Sequence, residues 1–144
     1  MSQERLSQER LPDTPAPTAG VVAALAVIAA VIAPYFVIDA TEAAVYYSAP
    51  TLLPVHFVVG LLAMIAVVVF AAGRNGRTDP PTAAGAAVVL GGFMALVVLW
   101  WAVAAGSLVG SLTDVAAFDY HRWVLLATAV AVAACAGWFA SDVL

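Results

Sequence analysis

The sequence predicts an all-α protein, an integral membrane bundle of four transmembrane helices with both termini cytoplasmic. Three observations predict it. Of 144 residues, 65% are apolar and only 10% are charged, which leaves too little polar surface for a soluble domain of this size. The charges, nine acids and five arginines with no lysine, lie almost wholly outside four long apolar stretches. Each stretch is long enough to span a bilayer. The same composition excludes a soluble enzyme, a coiled coil, a secreted disulfide scaffold and a basic nucleic-acid binder.

Residues 1–18 read as a disordered cytoplasmic tail. The tandem repeat Ser2-Gln3-Glu4-Arg5-Leu6 and Ser7-Gln8-Glu9-Arg10-Leu11 leads into Pro12, Pro15 and Pro17, a polar and proline-rich composition that cannot bury a core. A docking peptide and a neutral duplication both account for the repeat. Residues 19–144 form the transmembrane domain, and its spans follow from the gaps between charges, because a charge at mid-membrane costs about 2.5–3.5 kcal/mol on insertion scales. The first span is 19–38, a length of about 30 Å as a helix. A cleaved signal peptide would have a shorter apolar core, usually about 7 to 15 residues, and a more basic leader, so an uncleaved first helix is expected. The second span is 54–73, with Pro54 in its first turn and Gly73, before Arg74 and Asn75, as its stop. The third is 83–105. Asp79-Pro80-Pro81-Thr82 precedes it; the prolines block any upstream helix and Thr82 is the expected cap. The fourth is 123–140, with Asp119 placed to cap its start.

Valine is abundant, but the apolar/polar alternation of a membrane barrel strand is absent. Helices satisfy their backbone groups internally, so the spans read as a bundle. Arg5, Arg10, Arg74 and Arg77 then fall on one side and Arg122 alone on the other, which makes the first side cytoplasmic.

Much chemistry is missing. Cys135 is the one cysteine, so dithiol relays and cysteine-based metal clusters are excluded. No acid or base lies deep in a span, where proton-coupled carriers place one. Phosphate-binding glycine loops, zinc-protease motifs and nucleophile elbows are absent. What the spans do contain is small residues four apart: Ala129, Ala133 and Gly137 in the fourth, Ala26 and Ala30 in the first, Ala87 and Gly91 in the third. Such spacing lets helices approach closely, within one chain or between copies.

The outer ends of the helices concentrate the unusual residues. Ten aromatic residues fall there: Tyr35, Phe36, Tyr46, Tyr47, Phe57, Trp100, Trp101, Phe118, Tyr120 and Trp123. His56 and His121 share that layer at similar depth. The ordinary reading is a set of interfacial anchors. A second makes His56 and His121, with Asp39, Asp114 or Asp119, ligands for haem or a metal. A third makes the layer a docking surface, with Tyr46, Tyr47, Trp100, Trp101 and Trp123 as contacts. The connection 106–120 is too apolar for an ordinary loop. Gly106 and Gly110 are expected to end or bend the third helix, Thr113 or Asp114 to cap a short helix, and Asp119 to pair with Arg122 if that helix is continuous.

The lysine-free acidic composition resembles that of proteins of salt-loving archaea. The segments from Tyr46-Tyr47 through Gly73-Arg74 and Arg77-Thr78-Asp79-Pro80 to Trp100-Trp101 resemble small uncharacterised four-span membrane proteins of such organisms. The resemblance implies no activity and no functional residues. The expectation is a non-enzymatic protein of the cell membrane, an accessory, scaffolding or assembly component. Its partners would be the lipid bilayer and other membrane proteins or further copies of itself, without nucleic acid or a cofactor. A small transporter or channel subunit is the alternative, with Thr82, Ser107 and Thr128 as the few polar candidates for a path, and a haem- or metal-binding electron-transfer protein is the third.

Overall fold

The structure is a computed structural model and describes residues 14–48, 54–106 and 117–144. Helix makes up 89% of these residues and no strand occurs among them, so the valine-rich runs are helical. Five helices form: α1 (Ala16–Ile32), α2 (Ala40–Ser48), α3 (Val55–Arg74), α4 (Pro80–Ala105) and α5 (Ala117–Val143), with a 3₁₀ turn at Ala33–Phe36 continuing α1. Four of them are long and apolar enough to cross a membrane. The tail 1–13, the loop 49–53 and most of the connection 107–116, with its expected Gly110, Thr113 and Asp114 features, lie outside the described residues.

The four long helices form a ring in which α1 packs on α3 and α5, and α4 packs on α3 and α5. One end of the bundle carries the α3–α4 turn and the Thr14–Asp142 hydrogen bond that ties the start of α1 to the end of α5. The other end, called here the aromatic end, carries the 3₁₀ turn, α2 and the start of α5. The interior is built from small residues with a few large plugs: Ala24 and Val27 on α1, Ala63 and Phe70 on α3, Ala87 and Met94 on α4, Ala129 and Phe139 on α5. Close approach needs glycine in places. A Cβ on Gly91 of α4 would lie 2.9 Å from Ala133 Cα on α5, and one on Gly20 of α1 would run into the Phe70 ring. The bulky residues face outward instead, with Leu61, Met64 and Val68 on α3 and Val89, Phe93 and Leu96 on α4 all exposed. Large apolar side chains outside a core of alanine and glycine suit a lipid surround, where packing of small residues provides the cohesion.

Several boundaries differ from the expected ones, each for a local reason. The α-helical part of the first span starts at Ala16 and stops at Ile32, short of residue 38, because Pro34 lacks the N–H that would bond Ala30. The chain tightens into the 3₁₀ turn, where Pro34 O accepts both Val37 N and Ile38 N at 3.0 Å. The glycine that stops α3 is Gly76, not Gly73. Gly76 has φ 67°, Arg77 N donates to Ala72 O at 2.9 Å and Gly76 N to Gly73 O at 3.4 Å, the two bonds of a Schellman motif. Gly73 is instead buried, and a Cβ there would lie 2.8 Å from Ala83. Helix α4 begins three residues early, at Pro80, and its cap is Asp79 rather than Thr82. The Asp79 carboxylate accepts from Thr82 N at 3.3 Å and from the Thr82 hydroxyl at 3.0 Å, while the prolines occupy first-turn positions whose N–H groups have no helical partner anyway. Gly106 directly follows α4 as expected. Helix α5 starts at Ala117 and ends at Val143, so Asp119 sits inside its first turn instead of capping it.

Candidate functional site

The polar groups of the aromatic end form one connected cluster, and the break at Pro34 organises it. With no N–H at residue 34, Ala30 O has lost its helical partner. His121 on α5 replaces it, with Nε2 2.6 Å from Ala30 O. A carbonyl only accepts, so Nε2 carries the proton; Nδ1, 3.1 Å from the Tyr46 hydroxyl, then accepts from Tyr46 in the neutral ring. The neighbouring carbonyl, Val31 O, accepts from the Tyr47 hydroxyl at 2.7 Å. Side chains from α2 and α5 thus terminate α1.

Helix α2 lies between the 3₁₀ turn and α3 and delivers these tyrosines. Ala43 N bonds Asp39 O at 2.9 Å to start it, and Glu42 lies in its first turn, where a negative charge is favourable. Ala43, Tyr46 and Tyr47 form its buried face, the i, i+3, i+4 pattern of a helix lying on a core. Trp101 of α4 completes the anchoring by donating Nε1–H to Tyr46 O at 3.2 Å. Its ring lies edge-on to Tyr46 at 5.0 Å and stacked on Tyr47 at 5.4 Å. Burial pushes both phenols well above their ordinary range; at Tyr46 the Arg122 charge opposes the rise, and at Tyr47 the Tyr46 and Tyr35 phenols add to it.

His56, in the first turn of α3, sits on the other side of Tyr47, with ring centroids 4.7 Å apart. It is 6% exposed. Its Nε2 is 2.9 Å from the Tyr35 hydroxyl, and its Nδ1 has no hydrogen-bond partner. Arg122 is the cation of this end among the described residues. Its guanidinium lies over Gly106, where a Cβ would come within 2.9 Å of Nη1, and 5.4 Å from the Trp123 ring centroid. The helix is continuous through Asp119, yet no partner reaches Arg122 Nε or Nη1.

The structure therefore divides the residues singled out in the sequence. Tyr46, Tyr47 and Trp101 are interior, each 1% exposed or less, while Trp100 at 50% and Trp123 at 45% face outward with Phe36, Phe57 and Tyr120. His56 and His121 both touch Tyr47, but both nitrogens of His121 are engaged, one with Ala30 and one with Tyr46. Among the described residues no group of three or more His, Cys, Asp and Glu is placed to hold a metal ion. Of the fourth-span residues, Ala129 is buried, Ala133 lies against Gly91, and Gly137 faces open space. The inward stripe of α5 is Leu125, Ala129, Val132, Ala136 and Phe139.

A family model matches residues 9–144. The chain belongs to the family of unknown function DUF7548. The match includes all four long helices and α2, so the aromatic end lies within what defines the family. No curated protein and no solved structure matches the chain.

Proposed function

We propose that this DUF7548 protein is a non-enzymatic component of the cell membrane, an accessory or assembly subunit that works through its outward faces. The observation that carries the reading is the use made of the cluster. Tyr46, Tyr47, Trp101 and His121 are engaged with one another and with the carbonyls of Ala30, Val31 and Tyr46, which holds α1, α2, α4 and α5 in one arrangement. Rigid support of this kind suits a surface presented to a neighbour. The surface available beside it is Phe36, Trp100, Tyr120 and Trp123, and exposed aromatic rings are the residues that dominate protein contacts. Both termini and Arg74 and Arg77 would face the cytoplasm in this reading. The small-residue interior, Ala63, Ala66, Ala87 and Ala129 among others, is closed by packing, which favours an accessory role over transport through the bundle.

The test is affinity purification of the full chain after gentle solubilisation, with brief crosslinking in the intact membrane. A stoichiometric membrane partner is expected, and its yield falls when Trp100 and Trp123 are both replaced by Ala. Recovery of the chain alone under both conditions would refute the accessory role.

A further inference from the structure

We infer that the aromatic end carries a one-electron path: an organic peroxyl radical at the membrane surface takes an electron that originates from the Tyr46 phenol, and His121 takes the phenol's proton. Apart from thiols, tyrosine and tryptophan are the side chains that give up an electron most readily, and here four of them are in ring contact. Tyr35 is 39% exposed and lies 6.4 Å from Tyr47, the two rings 23° from parallel. Tyr47 and Trp101 stack at 5.4 Å, and Tyr46 is 5.0 Å from Trp101 and 5.2 Å from Tyr47. The series runs without a gap from the surface to residues at most 1% exposed. An electron crosses such contacts without any reactant entering, so a closed interior is no obstacle. Tyr35 stands in the 3₁₀ turn, at the layer where aromatic rings meet the membrane surface, open to a polar radical there. The path does not depend on any partner of the outward faces.

A proton, unlike an electron, moves only along a hydrogen bond to a group that can hold it, and this selects Tyr46. The Tyr47 hydroxyl donates to Val31 O, and Trp101 Nε1–H donates to Tyr46 O. A carbonyl does not keep a proton, so these two rings pass the electron on. The Tyr46 hydroxyl instead bonds His121 Nδ1 at 3.1 Å, and the Nε2–H bond to Ala30 O fixes the imidazole in the accepting tautomer. Burial keeps the phenol protonated beforehand, so electron and proton leave together. The O–H bond of Tyr46 breaks and an N–H bond forms at Nδ1. A neutral phenoxyl radical remains beside an imidazolium that still donates to Ala30 O. The peroxyl radical gains the electron, becomes a hydroperoxide anion and takes a proton from water, giving a hydroperoxide and a hydroxide ion. One oxidising equivalent is then held per chain.

The experiment uses the full chain in lipid nanodiscs. A water-soluble azo initiator generates peroxyl radicals at the surface, and samples frozen at intervals are read by electron paramagnetic resonance, with thermal unfolding showing that each variant is folded. The wild-type chain is expected to accumulate a tyrosyl signal and Y46F to lose most of it. H121Q, whose amide accepts the hydrogen bond but cannot take up the proton, should give a signal lower by about tenfold or more. W138F, at the opposite end of the bundle, should match the wild type. Equal signals from wild type and Y46F would overturn the proposal, as would an undiminished signal in folded H121Q. Y46F keeps its ring and the Tyr46 O bond to Trp101, so the first comparison decides the matter even where H121Q fails to fold.

Discussion

A single methyl group tests how tightly the bundle is closed. Gly91 and Gly92 are adjacent on α4, so their helix propensities and membrane depths are matched. They differ in what lies opposite. A Cβ on Gly91 meets the α5 backbone at Ala133, with Cα at 2.9 Å and N at 3.1 Å, whereas one on Gly92 meets nothing within 4 Å. Backbone cannot swing aside as a side-chain end can, so Gly91→Ala must push α4 from α5 and is expected to cost about 1–3 kcal/mol. Gly92→Ala should be neutral or gain up to about 1 kcal/mol, because alanine loses less entropy in a helix. Unfolding of both variants in the same detergent, by denaturant titration, measures the difference. Equal effects would mean that the α4–α5 seam is looser than the structure has it. The seam also shows what sequence spacing conveys. Small residues four apart drift round a helix that turns every 3.6 residues, so Ala129 points inward, Ala133 sits at the edge and Gly137 has left the interface.

At the scale of elements, one proline decides more than any other feature. The four spans were legible because a charge-free run of about 20 residues has few other fates, and the turn between α3 and α4 was legible as a stop followed by prolines. The gathering of both histidines in one layer was also legible from their places in the spans. What the sequence concealed was the use of that layer. Pro34 sits four residues after Ala30, and the lost bond could have been read from that spacing. The side chain that replaces it, His121, is 91 residues away, and no local pattern connects them. Helix α2 is hidden in the sequence for a similar reason: at nine residues it is too short to stand by propensity and depends on its buried tyrosines. A double-mutant cycle tests the account. His121→Phe leaves Ala30 O without a donor and should cost about 1–3 kcal/mol, the price of an unsatisfied buried carbonyl. In a Pro34→Ala background the new N–H can take its place, so the same change should cost less, with a coupling of about 0.5–3 kcal/mol. Strict additivity would show that His121 does not substitute for the missing helical bond.

At the scale of the molecule, the structure joins two features that the sequence presented separately. Both ends of the described bundle and the α3–α4 turn lie at one end, tied by Thr14 and Asp142, and the arginines of that end among the described residues are Arg74 and Arg77. The aromatic end has Arg122 beside the exposed acids Asp39, Glu42 and Asp119. Positive residues near the ends of spans hold their loops in the cytoplasm, whereas acids contribute little, so the asymmetry predicts an orientation, with the Arg74–Arg77 end inside. Single cysteines can read it without disturbing any arginine. With Cys135→Ser to remove the native thiol, Thr41→Cys marks the aromatic end and Asn75→Cys the opposite turn, both at exposed positions. A membrane-impermeant maleimide applied to intact cells should label the first, and should label the second only after the membrane is opened. The reverse pattern would invert the orientation and place Arg122 at the cytoplasmic surface. Labelling of both positions in intact cells would mean that the two ends share one side, which four crossings of about 30 Å of hydrocarbon do not allow.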